Sequence, residues 1–271
     1  MRTFSLPIQS AGGHTAELEC YVLDMSERIR WKDRPAVILC PGGAYRFTND
    51  RESEPLACAF LAEGFHVFSL RYSTEKGIYP AALEQLACAV RTVRQHAGEW
   101  HVQKNAIVIA GFSAGGHLAA EYACKWTHPE LSRAANADSE ELRANALVLG
   151  YPVITAGAAA HEESIQNLLG EQDTPEMRRS VSIETQVNEN VPPVFIWHTF
   201  GDEMVSAENS LLFAAALAQK NIPYELHIYG SGVHGVSLGT RTTVGEEKHV
   251  SHSCAGWFSE ATRFLERVLP E

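Results

Sequence analysis

Residues 106–116 read Ala106-Ile107-Val108-Ile109-Ala110-Gly111-Phe112-Ser113-Ala114-Gly115-Gly116, a short apolar run that leads into a glycine-rich turn. The apolar run is typical of a strand buried on both faces of a sheet, and a helix is predicted from about residue 115 to 127. The turn has the pattern G-x-S-x-G, which between a strand and a helix lifts the serine hydroxyl clear of the sheet. Ser113 is therefore the candidate nucleophile, and the N–H of Ala114 at the helix start is a candidate oxyanion donor.

Strand-like and helix-like segments alternate on both sides of this turn. Strands are predicted at 4–8, 17–23, 36–40, 67–70, 106–110, 146–151, 194–198 and 225–229, the first two as an antiparallel pair. Helices are predicted at 53–64, 81–96, 115–127, 162–169, 207–219 and 253–268. Alternation of apolar strands with helices indicates a mostly parallel sheet that is covered by helices on both faces.

About forty residues between the strands at 146–151 and 194–198 break this alternation. They hold the helical segment 162–169, closed by Gly170, and a helix start at Asp173-Thr174-Pro175-Glu176. We therefore predict a single domain over residues 1–271 with a small helical insertion at about 155–190, which we call the cap segment.

A second glycine-rich turn, Pro41-Gly42-Gly43-Ala44-Tyr45, follows the predicted strand at 36–40. Glycines allow backbone N–H groups to approach a substrate closely, although the same residues also encode a plain β-turn. Because the turn lies at the strand end where an oxyanion loop is expected, we predict that Gly43 and Ala44 supply oxyanion amides. Tyr45 is a candidate substrate-binding residue, and Phe47 is a weaker one.

A serine hydroxyl needs a general base, and twelve histidines compete for this role. The less favoured histidines lie in strands (His198, His227), one helical turn after Ser113 (His117), or in a polar loop (His249, His252). His234 follows the last predicted strand and is flanked by glycines in Gly230-Ser231-Gly232-Val233-His234-Gly235. We predict that His234 is the base.

The third member of such a triad is an acid that orients the imidazole and stabilises its charged form. Asp202 comes soon after the predicted strand at 194–198, and Glu203 beside it is the rival. Asp202 is favoured over Glu203 because adjacent residues in an extended turn point in opposite directions. The resulting order of serine, acid and histidine is that of α/β-hydrolases.

The amino-acid composition indicates which classes of binding partner to expect. The chain has 271 residues, with 22 Lys and Arg against 33 Asp and Glu and a formal net charge of −11, which disfavours nucleic acid and anionic membranes. It contains no apolar run of membrane-spanning length and no leader-like start, so a cytoplasmic location is expected. The six cysteines are dispersed among apolar residues, as reduced core thiols are. With no H-E-x-x-H and no G-x-G-x-x-G after a strand, we predict no metal and no cofactor.

These residues together resemble those of bacterial acetyl esterases and acetylxylan-esterase-like serine esterases, a group of the α/β-hydrolase superfamily related to hormone-sensitive lipase. The resemblance covers nearly the whole chain and is carried by Cys40-Pro41-Gly42-Gly43-Ala44-Tyr45, Arg71-Tyr72, Gly111-Phe112-Ser113-Ala114-Gly115-Gly116-His117-Leu118-Ala119, Tyr151-Pro152-Val153-Ile154, Pro192-Pro193-Val194-Phe195-Ile196-Trp197-His198-Thr199 and Val233-His234-Gly235. Three departures stand out: Pro41 replaces the histidine of an H-G-G-G loop, Ala44 its last glycine, and Val205-Ser206 a frequent Val-Pro.

The resemblance implies an α/β-hydrolase fold with a mostly parallel eight-stranded sheet, helices on both faces and a small helical cap. It also implies hydrolysis of short acyl esters, often acetyl groups on sugars, through an acyl-serine intermediate. The partner would be a small-molecule ester, and a homodimer is left open. Two other functions compete: an amidase of the kynurenine-formamidase type, and a non-catalytic binding protein on a hydrolase fold.

Overall fold

One sheet forms the centre of the computed structural model, which describes residues 1–270. The strands found there are β1 (Arg2–Gln9), β2 (Thr15–Val22), β3 (Arg34–Cys40), β4 (His66–Arg71), β5 (Val102–Phe112), β6 (Ala146–Gly150), β7 (Val194–Thr199) and β8 (Tyr224–Tyr229). Across these residues the eight strands lie in the order β1-β2-β4-β3-β5-β6-β7-β8. The pairs β1–β2 and β2–β4 are antiparallel and every other pair is parallel. The predicted mostly parallel, eight-stranded sheet is confirmed.

Helices connect most of the parallel strands. In residues 1–270 they are α1 (Glu54–Ala62), α2 (Ala81–Gln95), α3 (Ala97–Trp100), α4 (Ala114–Lys125), α5 (Pro129–Ala135), α6 (Glu162–Leu169), α7 (Pro175–Ser180), α8 (Glu208–Gln219) and α9 (Trp257–Val268). The sequence patterns had not indicated α3 or α5. The helix predicted at 81–96 ends at Gln95, and α3 follows it directly, with His101 at φ 58° as its left-handed cap.

Two apolar cores lie on opposite faces of the sheet, because successive side chains of a strand point to opposite sides. Ala36 and Ile38 of β3 belong to the core that α2, α4 and α8 cover. Val37 and Leu39 belong to the other core, which α1 and α9 cover. The central strands therefore bury apolar side chains on both faces, as a sheet covered by helices on both faces requires.

The cap segment follows β6 and carries α6 and α7. The bounds of α6 are those that the sequence predicted. Thr174 begins α7 as expected, since its side-chain oxygen accepts the N–H of Met177 at 3.2 Å. Asn167 of α6 contacts Ala44 in the turn after β3. The cap segment therefore lies over the carboxyl ends of the parallel strands.

The cysteines differ in part from the expectation of core thiols. Cys20, Cys40, Cys124 and Cys254 are buried, whereas Cys88 is half-buried and Cys58 on α1 is exposed. Among residues 1–270, no helix combines the length and the apolar character that crossing a membrane requires.

Candidate active site

Ser113 occupies a sharp turn between β5 and α4, with φ 53° and ψ −121°. A non-glycine residue held at such angles costs about 1–3 kcal/mol, which the surrounding structure must offset. The turn needs small neighbours: a Cβ on Gly111 would lie 2.3 Å from the carbonyl oxygen of Gly115, and a Cβ on Gly115 2.0 Å from that of Cys40. The G-x-S-x-G pattern thus reflects close backbone packing around the serine.

The three predicted triad residues lie in contact, at or beyond the carboxyl ends of β5, β7 and β8. Oγ of Ser113 is 2.8 Å from Nε2 of His234. Nδ1 of His234 is 2.6 Å from Oδ2 of Asp202. An ionised carboxylate only accepts hydrogen bonds, so Nδ1 carries a proton, and Nε2 of the neutral ring accepts the Ser113 hydroxyl. This arrangement can take a proton from serine as the hydroxyl attacks an electrophile.

Asp202 is fixed by the backbone that follows it. Its Oδ1 atom accepts the N–H groups of Met204 and Val205 at 3.0 and 2.9 Å, which leaves Oδ2 for His234. The side chain of Asp202 is fully buried, whereas Glu203 is exposed at the rim. The structure therefore brings Asp202, and not its rival Glu203, to the imidazole.

His198, at the end of β7, is a second imidazole beside this carboxylate. Its Nε2 lies 3.3 Å from Oδ2 of Asp202 and 2.9 Å from the carbonyl oxygen of Val205, while Nδ1 contacts Oγ of Ser210 at 2.7 Å. Burial raises the pKa of Asp202, but hydrogen bonds from His198 and His234 outweigh burial and hold that pKa below its ordinary value. Asp202 is therefore a carboxylate when His234 gains a proton.

The turn after β3 holds three successive residues at positive φ: Gly43 at 132°, Ala44 at 55° and Tyr45 at 55°. A Cβ on Gly43 would lie only 2.0 Å from the carbonyl oxygen of Phe47, so glycine is required there. The N–H groups of Gly43, Ala44 and Ala114 donate to no atom within residues 1–270. They are free to hold a negatively charged oxygen beside Ser113.

Tyr72, which is buried, and Arg71, which is half-buried, anchor this turn and the loop after it. The hydroxyl of Tyr72 donates to the carbonyl oxygen of Pro41 at 2.7 Å. Arg71 reaches Oδ1 of Asp50 at 2.9 Å and the side chain of Thr48 at 3.4 Å, so it braces the following loop. These contacts anchor the turn at Pro41 and the loop that follows it.

Glu52 is a further anchor, which the sequence analysis did not identify. It is 1% exposed, and its Oε2 atom accepts the N–H of Gly42 at 2.7 Å. Its Oε1 atom accepts the hydroxyl of Tyr151 at 2.6 Å, and that hydroxyl accepts the N–H of Ser237 at 3.1 Å. Tyr151 also packs edge-to-face against His234 at 5.1 Å. One chain of contacts therefore joins the loop that carries His234 to the turn at residues 41–45, which we call the oxyanion turn after its predicted role.

Tyr45 does not lie where the sequence analysis placed it. Its ring is buried, its hydroxyl contacts Nδ1 of His117 at 2.9 Å, and its edge meets Tyr72. The left-handed backbone at Tyr45 turns this side chain inward, beneath the oxyanion turn. Phe47, two residues later, is 47% exposed and lines the cavity instead.

A cavity of about 490 Å³ opens above Ser113 and His234. Twelve of its nineteen lining residues have polar or charged side chains. The lining comprises Gly43, Ala44, Arg46, Phe47, Asn49, Arg51, Glu52, Ser113, His161, Glu163, Gly201, Glu203, Met204, Val233, His234, Gly235, Glu246, Lys248 and His249. Burial lowers the pKa of His161 and of His249, so both rings favour the neutral form. No sequence pattern indicated His161, which the cap segment brings to the cavity.

Within residues 1–270, no group of three or more His, Cys, Asp or Glu side chains is arranged to hold a metal ion.

The chain is similar in sequence and in fold to known esterases. The family model described as BD-FAE matches residues 22–217. The chain is 35% identical, over 76% of its length, to endo-1,4-beta-xylanase B of Butyrivibrio fibrisolvens, and 28% identical over 76% to an acetylxylan esterase of Xylanibacter ruminicola. It spans 33% and 42% of the lengths of these two relatives. The crystal structure of the carboxylesterase Cest-2923 from Lactobacillus plantarum superposes with a TM-score of 0.88 at 30% identity, and the match covers 100% of both chains.

Proposed function

Since this chain belongs to the BD-FAE family, we propose that it is a serine carboxylesterase that hydrolyses short acyl esters, above all acetyl esters of sugars such as xylo-oligosaccharides. The family assignment confirms the resemblance drawn from the motifs. An acetylxylan esterase and a carboxylesterase among the similar proteins support the reaction class. A xylanase among the curated relatives supports a xylan-derived alcohol.

One observation carries the proposal: the continuous contact from Ser113 through His234 to Asp202, at 2.8 and 2.6 Å, beside unpaired backbone amides. A nucleophile, a base and an oriented acid in hydrogen-bond reach are the parts that acyl transfer needs. A binding protein on the same fold would have no need for this arrangement.

In the proposed first half-reaction, Nε2 of His234 takes the hydroxyl proton of Ser113 while Oγ attacks the ester carbonyl carbon. The carbonyl oxygen becomes an oxyanion and receives hydrogen bonds from the N–H groups of Gly43, Ala44 and Ala114. Asp202 keeps its negative charge and stabilises the imidazolium. The C–O bond to the alcohol then breaks, and the alcohol oxygen takes the proton from Nε2.

In the second half-reaction water occupies the place of the alcohol. His234 takes a proton from the water as its oxygen attacks the acyl carbon, and the same three amides hold the second oxyanion. The bond from the acyl carbon to Oγ breaks, Ser113 regains its proton from His234, and the carboxylic acid leaves. Each half-reaction returns the imidazole to its starting protonation state.

The cavity lining favours a polar alcohol and a short acyl chain. Only Phe47, Met204 and Val233 contribute large apolar side chains, whereas charged or imidazole groups such as Glu203 and His161 line most of the rest. Sugar hydroxyls can form hydrogen bonds with such a wall, while a long alkyl chain would leave these polar groups without partners.

The proposal is tested by hydrolysis of p-nitrophenyl acetate, butyrate and octanoate by the wild type and by Ser113→Ala. We expect turnover that depends on Ser113 and falls from acetate to octanoate. Release of acetate from acetylated xylo-oligosaccharides then tests whether the alcohol part of the substrate is a sugar. Full activity in Ser113→Ala would overturn the mechanism. Hydrolysis of N-formyl amides in preference to all three esters would replace the esterase by an amidase.

We also infer that the chain is one domain closed by the cap segment and acts in the cytoplasm on small-molecule esters, without nucleic acid or membrane as a partner. The net charge of −11 opposes binding to phosphate-rich surfaces. Cell fractionation tests the location. Sedimentation velocity distinguishes a monomer from the homodimer that the sequence leaves open.

A further inference from the structure

The oxyanion turn is held in a conformation that its own sequence does not favour. Gly43 accepts positive φ readily, but Ala44 and Tyr45 both lie at 55°, in the left-handed region that side chains with a Cβ disfavour. Two such residues in succession persist only where contacts from elsewhere in the molecule fix them. Two of these contacts come from the cap segment.

The first contact is made by Asn167, on α6. Its Nδ2 donates to the carbonyl oxygen of Ala44 at 2.8 Å. One turn earlier on the same helix, Glu163 pairs with Arg46 at 3.3 Å, so residues four apart grip the turn from one helix face. The backbone oxygen of Asn167 in turn accepts the N–H of Gly77 at 2.9 Å, which ties α6 to the body of the protein.

The second contact runs through His117, which is fully buried on α4. Nε2 of His117 is 2.8 Å from the carbonyl oxygen of Val181 in the cap segment, so this nitrogen carries the proton. Burial lowers the pKa of His117, which keeps the ring neutral. Nδ1 therefore accepts, and the hydroxyl of Tyr45 donates to it at 2.9 Å.

From these contacts we infer that Asn167 is a positioning residue for catalysis: its amide fixes the Ala44 carbonyl and, through the adjoining backbone, the direction of the Ala44 N–H. The Gly43–Ala44 peptide, which carries this N–H, is held on its other side because the Gly43 carbonyl accepts the N–H of Arg46 at 2.9 Å. A rotation about the N–Cα bond of Ala44 that turned its N–H away from the oxyanion would therefore break one of these two hydrogen bonds. The hydrogen bond from Tyr45 to His117 restrains the next residue in the same way. This inference rests on the proposed esterase reaction.

The alternative is that Asn167 only stabilises the fold or contacts the substrate. If Asn167 only stabilises the fold, replacing it lowers the free energy of unfolding but not the turnover of molecules that remain folded. If Asn167 contacts the substrate, replacing it raises KM. If Asn167 is a positioning residue, replacing it lowers kcat and leaves KM nearly unchanged, because an oxyanion forms only after the substrate is bound.

The test compares Asn167→Ala, Asn167→Asp and Gln166→Ala on p-nitrophenyl acetate. Asp has nearly the shape of Asn, but its carboxylate cannot donate to the Ala44 oxygen. Gln166 is exposed on the same helix and serves as the matched control. Active sites are counted from the p-nitrophenolate burst with a p-nitrophenyl phosphonate, so that kcat refers to competent enzyme. Tyr45→Phe, which removes only the hydroxyl, is measured alongside.

We expect both Asn167 variants to lose about 10- to 100-fold in kcat, less than the loss of an oxyanion donor outright, with KM changed by less than about twofold. Gln166→Ala should match the wild type, and Tyr45→Phe should show a smaller loss in kcat alone. Wild-type kcat per active site in Asn167→Asp, or a change confined to KM, would overturn the inference. If either result is found while wild-type turnover still depends on Ser113, the proposed function is unaffected. Absence of such turnover in the wild type would remove the proposed function itself.

Discussion

The hydroxyl of Tyr151 donates to the buried carboxylate of Glu52 at 2.6 Å and accepts the backbone N–H of Ser237 at 3.1 Å. Glu52 holds the N–H of Gly42 through its other oxygen. The histidine loop and the oxyanion turn thus share a single buried hydroxyl. Their relative placement depends on that contact, because a buried acceptor or donor without a partner is costly.

Tyr151→Phe removes this hydroxyl and leaves both Oε1 of Glu52 and the N–H of Ser237 without their partner. We expect the free energy of unfolding in urea to fall by about 1–3 kcal/mol, and kcat to fall about tenfold because the two loops lose their common anchor. Tyr122→Phe is the control. The Tyr122 hydroxyl is buried and donates to the carbonyl oxygen of Leu142, outside the site. It should lose stability with kcat unchanged, and an equal kcat loss in both variants would contradict the prediction.

Asp202→Asn should leave the geometry in place but reverse the imidazole tautomer. The amide oxygen would keep the N–H bonds of Met204 and Val205, so the NH₂ group would face Nδ1 of His234. That nitrogen would then have to accept, which moves the ring proton to Nε2, opposite Ser113. By analogy with the same change in a serine protease, kcat should fall about 10⁴-fold. Steady-state kinetics with Glu203→Gln as the exposed neighbour check this: an equal loss in Glu203→Gln would reassign the acid.

Gly43→Ala tests the oxyanion turn directly. At φ 132°, the new Cβ would meet the carbonyl oxygen of Phe47 at 2.0 Å, so the backbone must move and the Gly43 N–H with it. We expect kcat to fall about 10²- to 10³-fold, the cost of one lost donor. Gly98→Ala is the matched change, because a Cβ at Gly98 in α3 meets no atom within 4 Å. If Gly43→Ala were as active as Gly98→Ala, the assignment of Gly43 would fail.

Stability should depend on pH through His66, which is buried on β4. Burial lowers the pKa of this imidazole from 6.5 to about 4. Nδ1 accepts the N–H of Leu23 at 3.1 Å, an acceptor role that protonation would abolish. Between these two pKa values only the unfolded chain binds the proton, so stability falls as pH falls. At about 1.4 kcal/mol per pKa unit, His66 should lower the free energy of unfolding by about 2 kcal/mol between pH 7 and pH 5.

Urea unfolding of the wild type and His66→Gln at pH 7 and pH 5 measures this contribution as a difference of differences. His117 is also buried with a lowered pKa, so part of the change in unfolding free energy with pH will remain in the His66→Gln variant. The prediction concerns only the part that His66→Gln removes. Equal losses of stability in the two proteins over this interval would refute it.

The sequence was sufficient to bring Ser113, Asp202 and His234 together because each signal is local. Each residue follows a predicted strand, and the carboxyl ends of parallel strands meet at one edge of a sheet. The choice between Asp202 and Glu203 required the turn geometry, in which two backbone N–H groups hold one carboxylate.

Other parts of the site could not be predicted from local patterns. Glu52 resembles an ordinary acid at a helix start, and its partner Tyr151 lies 99 residues away. Asn167 and Ala44 are 123 residues apart. Tyr45 was expected in the substrate pocket, and that prediction was wrong because the sign of its φ, which the sequence did not reveal, decides where the ring points.

The carbonyl of Ala44 lies where the cap segment meets the turn that follows β3. Loops that select an alcohol can be exchanged between related enzymes far more readily than the residues that perform the reaction. Here an exchange of the cap segment would also remove the amide that Asn167 presents to Ala44. A chimera built to alter substrate preference must therefore keep an amide donor at that position on the incoming helix, or new specificity will come with slower turnover.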